Sequence, residues 1–417
     1  MSASTLRILI AGLNYAPEPT GIAPYTAGLA RGLARRGHDV RVLTAFPHYP
    51  QWRVMPGYRG LSQFQQLDQV RVDRRRHYIS RGANGLGRAI SEVSFGSRLV
   101  SAPWGTPDVV VCVSPALLSS AMVVSRVRAG WRRPALGLIM QDLYSAGMEE
   151  TKKSGCLGQA VTRLEGWTAN HVDGVAVIHE RLKLRVSSSL NVPKDSITVV
   201  RNWTHVRDVA EFDRDDFRRH RGWAGKGVCL HAGAMGEKQA LDNVVEAARF
   251  SERQGWNLHF VLMGDGSQRK YLEEISHGSK SIEFLDPLPD QDYGRAMRSA
   301  DVLLVNERPG VKEMAVPSKL TSYFSTGVPV LAACEASSTT AGELAASGAG
   351  VLIGPGEPEL LATAAMDLCV DTVRAAEMGS RGPRYCMEVL SEEQAISSYE
   401  AWIRDLTVRA VARRGEA

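Results

Sequence analysis

The sequence has no uninterrupted apolar run of about 18 residues, so no membrane-spanning segment is expected. Its start, MSASTLRILIAGLNY, lacks a basic leading segment and a small-residue cleavage site, and a signal peptide is not expected either. The six cysteines (Cys112, Cys156, Cys229, Cys334, Cys369 and Cys386) are scattered, with no C-x-x-C pair. That spacing excludes a zinc site and suits a reduced, cytoplasmic setting. No G-x-G-x-x-G follows a strand, which removes the main support for dinucleotide binding. The D-x-D at Asp213 to Asp215 lies in the charged stretch DRDDF, away from any strand end. It reads as a solvated helix start, and no metal site is expected. The arginine-rich patches Arg74–Arg76 and RVRAGWRR (126–133) come without a zinc-finger, single-strand-platform or helix-turn-helix signature, which argues against nucleic acid.

What is present is length enough for two or three domains and an uneven charge. Residues 1–195 hold 25 of the 50 Lys and Arg but 13 of the 45 Asp and Glu, so they carry +12 and the remainder −7. A basic first half suits an anionic partner such as lipid headgroups or a diphosphate-bearing acceptor, or is simply an arginine-rich solvated face.

The most informative stretch is 301–330, DVLLVNERPGVKEMAVPSKLTSYFSTGVPV. Asp301–Val305 suits a buried parallel strand. A Pro/Gly loop with Arg308 and Lys312 follows, and Pro317-Ser318-Lys319 then opens a helix that Gly327 ends. Ligands bind at the carboxyl ends of strands in open α/β sheets, and a helix start there suits phosphate.

The chain begins strand (Leu6–Ala11), loop, helix to Gly37, strand (Val40–Thr44), which predicts a right-handed parallel crossover. Residues 45–61, rich in Pro and aromatics, read as an ordered surface loop. Further strands are expected at 109–113, 135–140, 175–178 and 197–200. After a charged segment at 204–225 the pattern restarts, with strands at 228–232, 259–264, 281–285, 302–305, 328–332 and 351–353 and a long last helix at about 392–414. Two such series predict an α/β chain of two doubly wound, Rossmann-like domains facing a central cleft. The first domain is 1–203, with a C-terminal helix of about 396–417 packing back onto it; the second is 204–395.

Together these residues resemble a retaining glycosyltransferase of family 4 with the two-domain GT-B fold. The resemblance rests on YAPEPTGIAPYTAGLARGLARRGHDVRVLT, VRNWTHV, HAGAMGEKQALDNVVEAA, VPSKLTSYFSTGVPV and GELAASGAGVLIGPGEPELLA in that order. FPHYPQW, QDLY and VPSKLT are similar to the WcaI-like, colanic-acid biosynthesis type. The resemblance implies sugar transfer from a nucleotide-sugar to a hydroxyl acceptor, a glycan, glycolipid or lipid-linked intermediate of polysaccharide biosynthesis. Retention of configuration and no metal or other cofactor are implied as well. Diphosphate departure then needs cations and N–H groups. On the donor side this singles out Gly21, Gly233, Gly236, Lys238, Ser318, Lys319 and Ser322, with Arg308 or Lys312 as a second cation. Backbone at Glu283, Phe284 and Leu285 is expected to hold the base. Asn14, His48 and Asp142 fall on the acceptor side, and Asp142 and Lys238 are the expected catalytic residues. The chain departs from the family's G-R-x-x-x-x-K-G: Ala234 replaces the Arg, Gln239 the Lys, and Lys238 is one residue early. Ser322 and Met314 stand where the family has its paired glutamates. His38 and Trp203 read as structural.

Two other readings compete. A nucleotide-sugar epimerase on the same architecture would need paired acid/base groups that the first domain lacks besides Asp142. A catalytically weak sugar- or nucleotide-binding protein is suggested by the missing ribose glutamate and opposed by Lys238, Ser318 and Lys319. The expected location is cytoplasmic, with the basic first domain able to touch an anionic membrane's inner face.

Overall fold

The computed structural model describes residues 4–18, 21–49, 51–80, 85–114, 116–131, 133–145, 156–203, 211–311 and 318–415. The chain divides into two compact units, Met1–Asn202 with Glu392–Ala417, and Trp203–Ser391. Each is a sheet with helices in its crossovers.

The first unit runs β1 (Arg7–Gly12), α1 (Ala23–Arg35), β2 (Asp39–Ala45), β3 (Ser62–Leu67), β4 (Val70–Arg75), α2 (Gly85–Ser101), β5 (Val109–Ser114), α3 (Leu117–Ala129), β6 (Ala135–Met140), α4 (Cys156–Asn170), β7 (Gly174–Val177), α5 (Glu180–Leu190) and β8 (Ile197–Val199). Strand order is β3-β4-β2-β1-β5-β6-β7-β8. The central strands are apolar and buried on both faces, as parallel strands covered by helices must be. The β3–β4 hairpin is the one departure from the expected strand series. β3 (SQFQQL) alternates exposed and half-buried positions at the sheet edge and pairs antiparallel with β4. Its two-residue turn, Asp68-Gln69, has both φ positive, as a primed hairpin turn requires.

The second unit runs α6 (Arg214–His220), β9 (Gly227–Ala232), α7 (Asp242–Arg253), β10 (Leu258–Met263), α8 (Arg269–Ile275), β11 (Ile282–Leu285), α9 (Asp290–Ser299), β12 (Val302–Asn306), α10 (Ser318–Phe324), β13 (Val330–Ala333), α11 (Thr339–Ser347), β14 (Gly350–Ile353), α12 (Pro358–Val370) and α13 (Thr372–Glu388). Its six strands, in order β11-β10-β9-β12-β13-β14, are all parallel. Order reverses beside β9 here and beside β1 in the first unit, so those two strand ends are the switch points where ligands bind. Asp213 of the D-x-D caps α6 by accepting from the Asp215 and Asp216 backbone N–H groups.

The last helix, α14 (Glu392–Gly415), packs on the first unit's sheet. It needs close approach. A Cβ on Gly137 would stand 2.6 Å from Leu406 and Trp402, and one on Gly32 2.7 Å from Ile396. His38 takes the Leu6 N–H at Nδ1 and faces Glu400 at 3.2 Å through Nε2. Burial works against the charge of Glu400, but hydrogen bonds from Arg404, Arg36 and His38 outweigh it and bring its pKa down to about 2. Among the described residues no helix is long and apolar enough to cross a membrane. Cys112, Cys229, Cys334, Cys369 and Cys386 are free thiols.

Candidate active site

In the second unit the switch point gathers three pieces. The first is the loop after β9. Gly233 has φ +134, a conformation that side chains rarely adopt, and its N–H is bonded to Met263 O. Gly236 donates its N–H to Gln239 Oε1 at 3.0 Å. Gln239, standing where the resembling family has Lys, thus holds the loop's shape. Lys238 is exposed in the short 3-10 turn Glu237–Gln239, and its carbonyl accepts from Arg308 N.

The second piece is the end of β12. Asn306, 1% exposed, donates to the Gln239 and Ala240 carbonyls and accepts from Asn243. One buried amide therefore ties the glycine loop to β12 and α7. Glu307 is also buried and accepts from Thr340 Oγ1 at 2.5 Å; burial raises its pKa, which that hydrogen bond and Lys319 oppose. Arg308 is exposed.

The third piece is α10. Lys319 lies against the loop: a Cβ on Gly233 would be 3.6 Å from its Cε and 3.7 Å from its Nζ. Its Nζ is 3.5 Å from His231 Nε2, and His231 is fully buried on β9. Burial lowers the Lys319 pKa to about 8, opposed by Glu307. Burial and Lys319 hold His231 well below its ordinary value. Tyr323, fully buried, takes the Ala232 N–H at 2.7 Å and fixes α10 against β9. Ser322 is half-buried on α10, and the Ser318 backbone opens that helix. Lys312 and Met314 lie outside the described residues.

Gly233, Gly236, Lys238, Arg308 and Lys319 therefore share one strand-end region. Glu283, Phe284 and Leu285 lie apart from it on the edge strand β11, paired on one side with β10. The Glu283 carboxylate is occupied by Trp223 Nε1 at 2.9 Å and His259 Nε2 at 3.1 Å, so only backbone could meet a base there.

In the first unit, Asn14 donates to Glu18 Oε2 at 2.8 Å. Glu18, 3% exposed, also accepts from the His48 and Tyr49 N–H groups at 2.7 and 2.9 Å. It shapes the aromatic loop after β2 from the loop after β1. His48 Nδ1 faces the Phe46 carbonyl at 2.9 Å. Its ring meets His77 edge-on at 5.1 Å, and burial plus His48 lowers the His77 pKa to about 3. Gly21 has φ +66 and lies beside Tyr49. Asp142, exposed past the end of β6, accepts from Leu143 N. Behind it, buried Glu165 accepts from Tyr144 N at 2.6 Å and Ser145 N at 3.1 Å, while Tyr144 Oη donates to buried Glu92.

The sequence reading passed over His231, Asn306, Glu307, Glu18, Glu92 and Glu165. The available signal was the polar pair Asn306-Glu307 directly after an apolar strand, where a site residue belongs.

Comparison with known proteins agrees across the chain. Residues 20–203 match the glycosyl transferase 4-like domain and residues 226–371 the glycosyl transferases group 1 domain. The chain belongs to the family-4 glycosyltransferases of the GT-B fold, of the WcaI-like type. It is 29% identical over 348 residues to the Escherichia coli (strain K12) protein named as a colanic acid biosynthesis glycosyl transferase, WcaI, covering 79% of this chain and 84% of that one. Sucrose-phosphate synthase from Thermosynechococcus elongatus shares the fold at a TM-score of 0.71 and 15% identity, covering 96% of this chain and 100% of that one. Anabaena HepE in complex with UDP does so at 0.68 and 15%, covering 95% and 99%.

Proposed function

We propose that this glycosyltransferase moves a sugar from a nucleoside-diphosphate sugar to a glycan, glycolipid or lipid-linked acceptor, with retention and without a metal ion. The observation that carries the donor assignment is Lys319, a half-buried ammonium held against the Gly233 loop at the second unit's switch point. As the sugar–phosphate bond breaks, negative charge grows on the departing diphosphate. A desolvated cation held against the loop stabilises that charge more than water would. Lys238 and Arg308 supply further positive charge at the rim. HepE's structures with UDP and with UDP-glucose support the donor class. In the first unit, Asp142 orients the acceptor hydroxyl, with Asn14 and His48 in the neighbouring loops. The basic first half and the absence of a spanning helix among the described residues fit a peripheral contact with an anionic membrane.

The test is a calorimetric and turnover screen of UDP-, GDP- and dTDP-sugars, with and without EDTA. Binding by one nucleotide family that EDTA leaves unchanged and Lys319→Ala abolishes supports the reading. Binding that EDTA abolishes overturns the metal-free part, and binding indifferent to Lys319→Ala overturns the phosphate assignment.

A further inference from the structure

His231 is a buried titratable group beside Lys319 to which the donor chemistry gives no task. It stands on β9, two residues before Gly233, and is fully buried. The other residues of that strand, GVCL before it and Ala232 after, are glycine, alanine or apolar side chains. An imidazole in such a place costs desolvation that a leucine would not.

Its two nitrogens are placed differently. Among the described residues Nδ1 is buried without a hydrogen-bond partner. Nε2 has two neighbours, the Ala234 carbonyl at 3.3 Å and Lys319 Nζ at 3.5 Å. The Ala234 and Leu304 carbonyls favour a second proton on the ring, but burial and Lys319 outweigh them and keep it neutral. A neutral ring carries one N–H, so Nε2 cannot serve both neighbours at once. With the proton on Nε2 the ring donates to Ala234 and offers the ammonium nothing. With the proton on Nδ1 it accepts from the ammonium and releases the Ala234 carbonyl. The ring therefore holds either the loop after β9 or the cation of α10.

The other groups around Lys319 are engaged elsewhere. Glu307, at the end of β12, acts on it through charge and accepts from Thr340. Tyr323, on α10 itself, bonds the Ala232 backbone. α13, packed on α10, brings the Cys386 thiol to the Thr321 carbonyl. Lys238 and Arg308 are exposed.

We infer that His231 is the positioning residue of Lys319: in the empty protein Nε2 accepts from the ammonium and keeps it against the Gly233 loop, and when a nucleoside diphosphate takes the ammonium the ring proton moves to Nε2 and fastens the Ala234 carbonyl. The hand-over rests on the donor reading of Lys319. No net proton is gained or lost, since one leaves Nδ1 as one arrives at Nε2. Arrival of the diphosphate thus tightens the loop it lies against. One orphaned nitrogen is the cost in either state, and a buried orphan of this kind calls for such a reason.

The probe is UDP, with GDP and dTDP beside it, added at pH 7 to the full chain labelled with 15N-histidine. The 15N shifts tell a protonated ring nitrogen from a bare one, and the His231 signals are those missing from His231→Gln. Nε2 should be bare in the free chain and protonated once nucleotide saturates it. Lys319→Ala should show Nε2 protonated with no nucleotide present. By calorimetry, His231→Leu should weaken nucleotide binding about tenfold, the worth of one hydrogen bond to a charged group, while His231→Gln, which keeps an acceptor, stays within about threefold. Thermal unfolding checks that both variants fold, and the spectra of the unaltered chain decide the matter if they do not. A free chain with Nε2 protonated, a tautomer indifferent to nucleotide and to Lys319→Ala, or a His231→Gln as weak as His231→Leu overturns the inference. Nucleotide binding that Lys319→Ala abolishes, beside an unmoved tautomer, would sink this inference alone. Silence towards every nucleotide would sink the donor reading and the hand-over with it, and the Lys319→Ala spectrum would still decide the bond between His231 and Lys319.

Discussion

The two strand-end regions solve opposite electrostatic problems. In the first unit three buried carboxylates beside the strand-end loops, Glu18, Glu92 and Glu165, are saturated from within. Glu18 takes three donors, Glu92 takes Leu118 N and Tyr144 Oη and pairs with Arg88, and Glu165 takes Tyr144 N and Ser145 N. In the second unit the central charge is a cation. Among the described residues Lys319 forms no ion pair; its near neighbour is an imidazole, and burial depresses its pKa. A satisfied carboxylate sets loop geometry, because each backbone N–H it holds fixes a turn. A desolvated, unpaired cation is a cost to the empty protein that an incoming anion relieves. The difference teaches that one unit is built to hold loops in place and the other to receive charge.

The comparison breaks first at Lys319. Lys319→Ala should lower kcat/KM roughly 100- to 1,000-fold, the usual cost of removing one charge-stabilising group. Turnover with the nucleotide sugar found by screening reads this, and an unchanged kcat/KM would remove the asymmetry. Next is Glu18→Ala, which strands three donors and should cost about 2–3 kcal/mol of stability by chemical denaturation. If the units are as different as they look, UDP affinity is untouched by that change. Third is pH. Above about 8 the free protein loses the Lys319 proton, so UDP affinity should fall about tenfold per pH unit, and Lys319→Ala should flatten that slope. The same residue makes the apo protein more stable between about pH 8 and its ordinary 10.5, because there the unfolded chain holds a proton that the folded one has shed. Buried thiols and phenols such as Cys112 and Tyr25, pushed up by burial, act the other way in both proteins, so the reading is the difference in stability between the chain and Lys319→Ala; a difference that does not shift in the chain's favour across that window contradicts the burial argument. The smallest effect extends the saturated-acid pattern to the α14 seat. With its pKa brought from 4.5 to about 2, Glu400 stabilises the fold above pH 4.5 and loses that contribution as pH falls through 2. Glu400→Gln should cost about 2 kcal/mol at pH 7 and nothing near pH 2. Equal stabilities at both pH values would mean that the Arg36 and Arg404 pairs contribute nothing.

Most of the strand series was legible because burial on both faces writes apolar runs into the chain, as in VVVCV and ALGLIM. The β3–β4 hairpin was not, since an edge strand such as SQFQQL spends its outer positions on glutamine. Lys319 and the Gly233 loop were legible as residue types at a strand end. Their closeness was not, because they are 86 positions apart in sequence. Glu18 hides for the same reason: its partners in FPHYP lie some 30 residues on.

By itself the sequence determined the alternation of strands and helices, the restart that makes two units, and which loops carry glycine and cations. These are local properties, set by periodicity and backbone preference. Only the tertiary structure decided which charges are buried, which acids are saturated and which cation forms no ion pair among the described residues. Those depend on desolvation and on distances between residues far apart in the chain, and a charge's energy is fixed by its surroundings rather than by its neighbours in sequence.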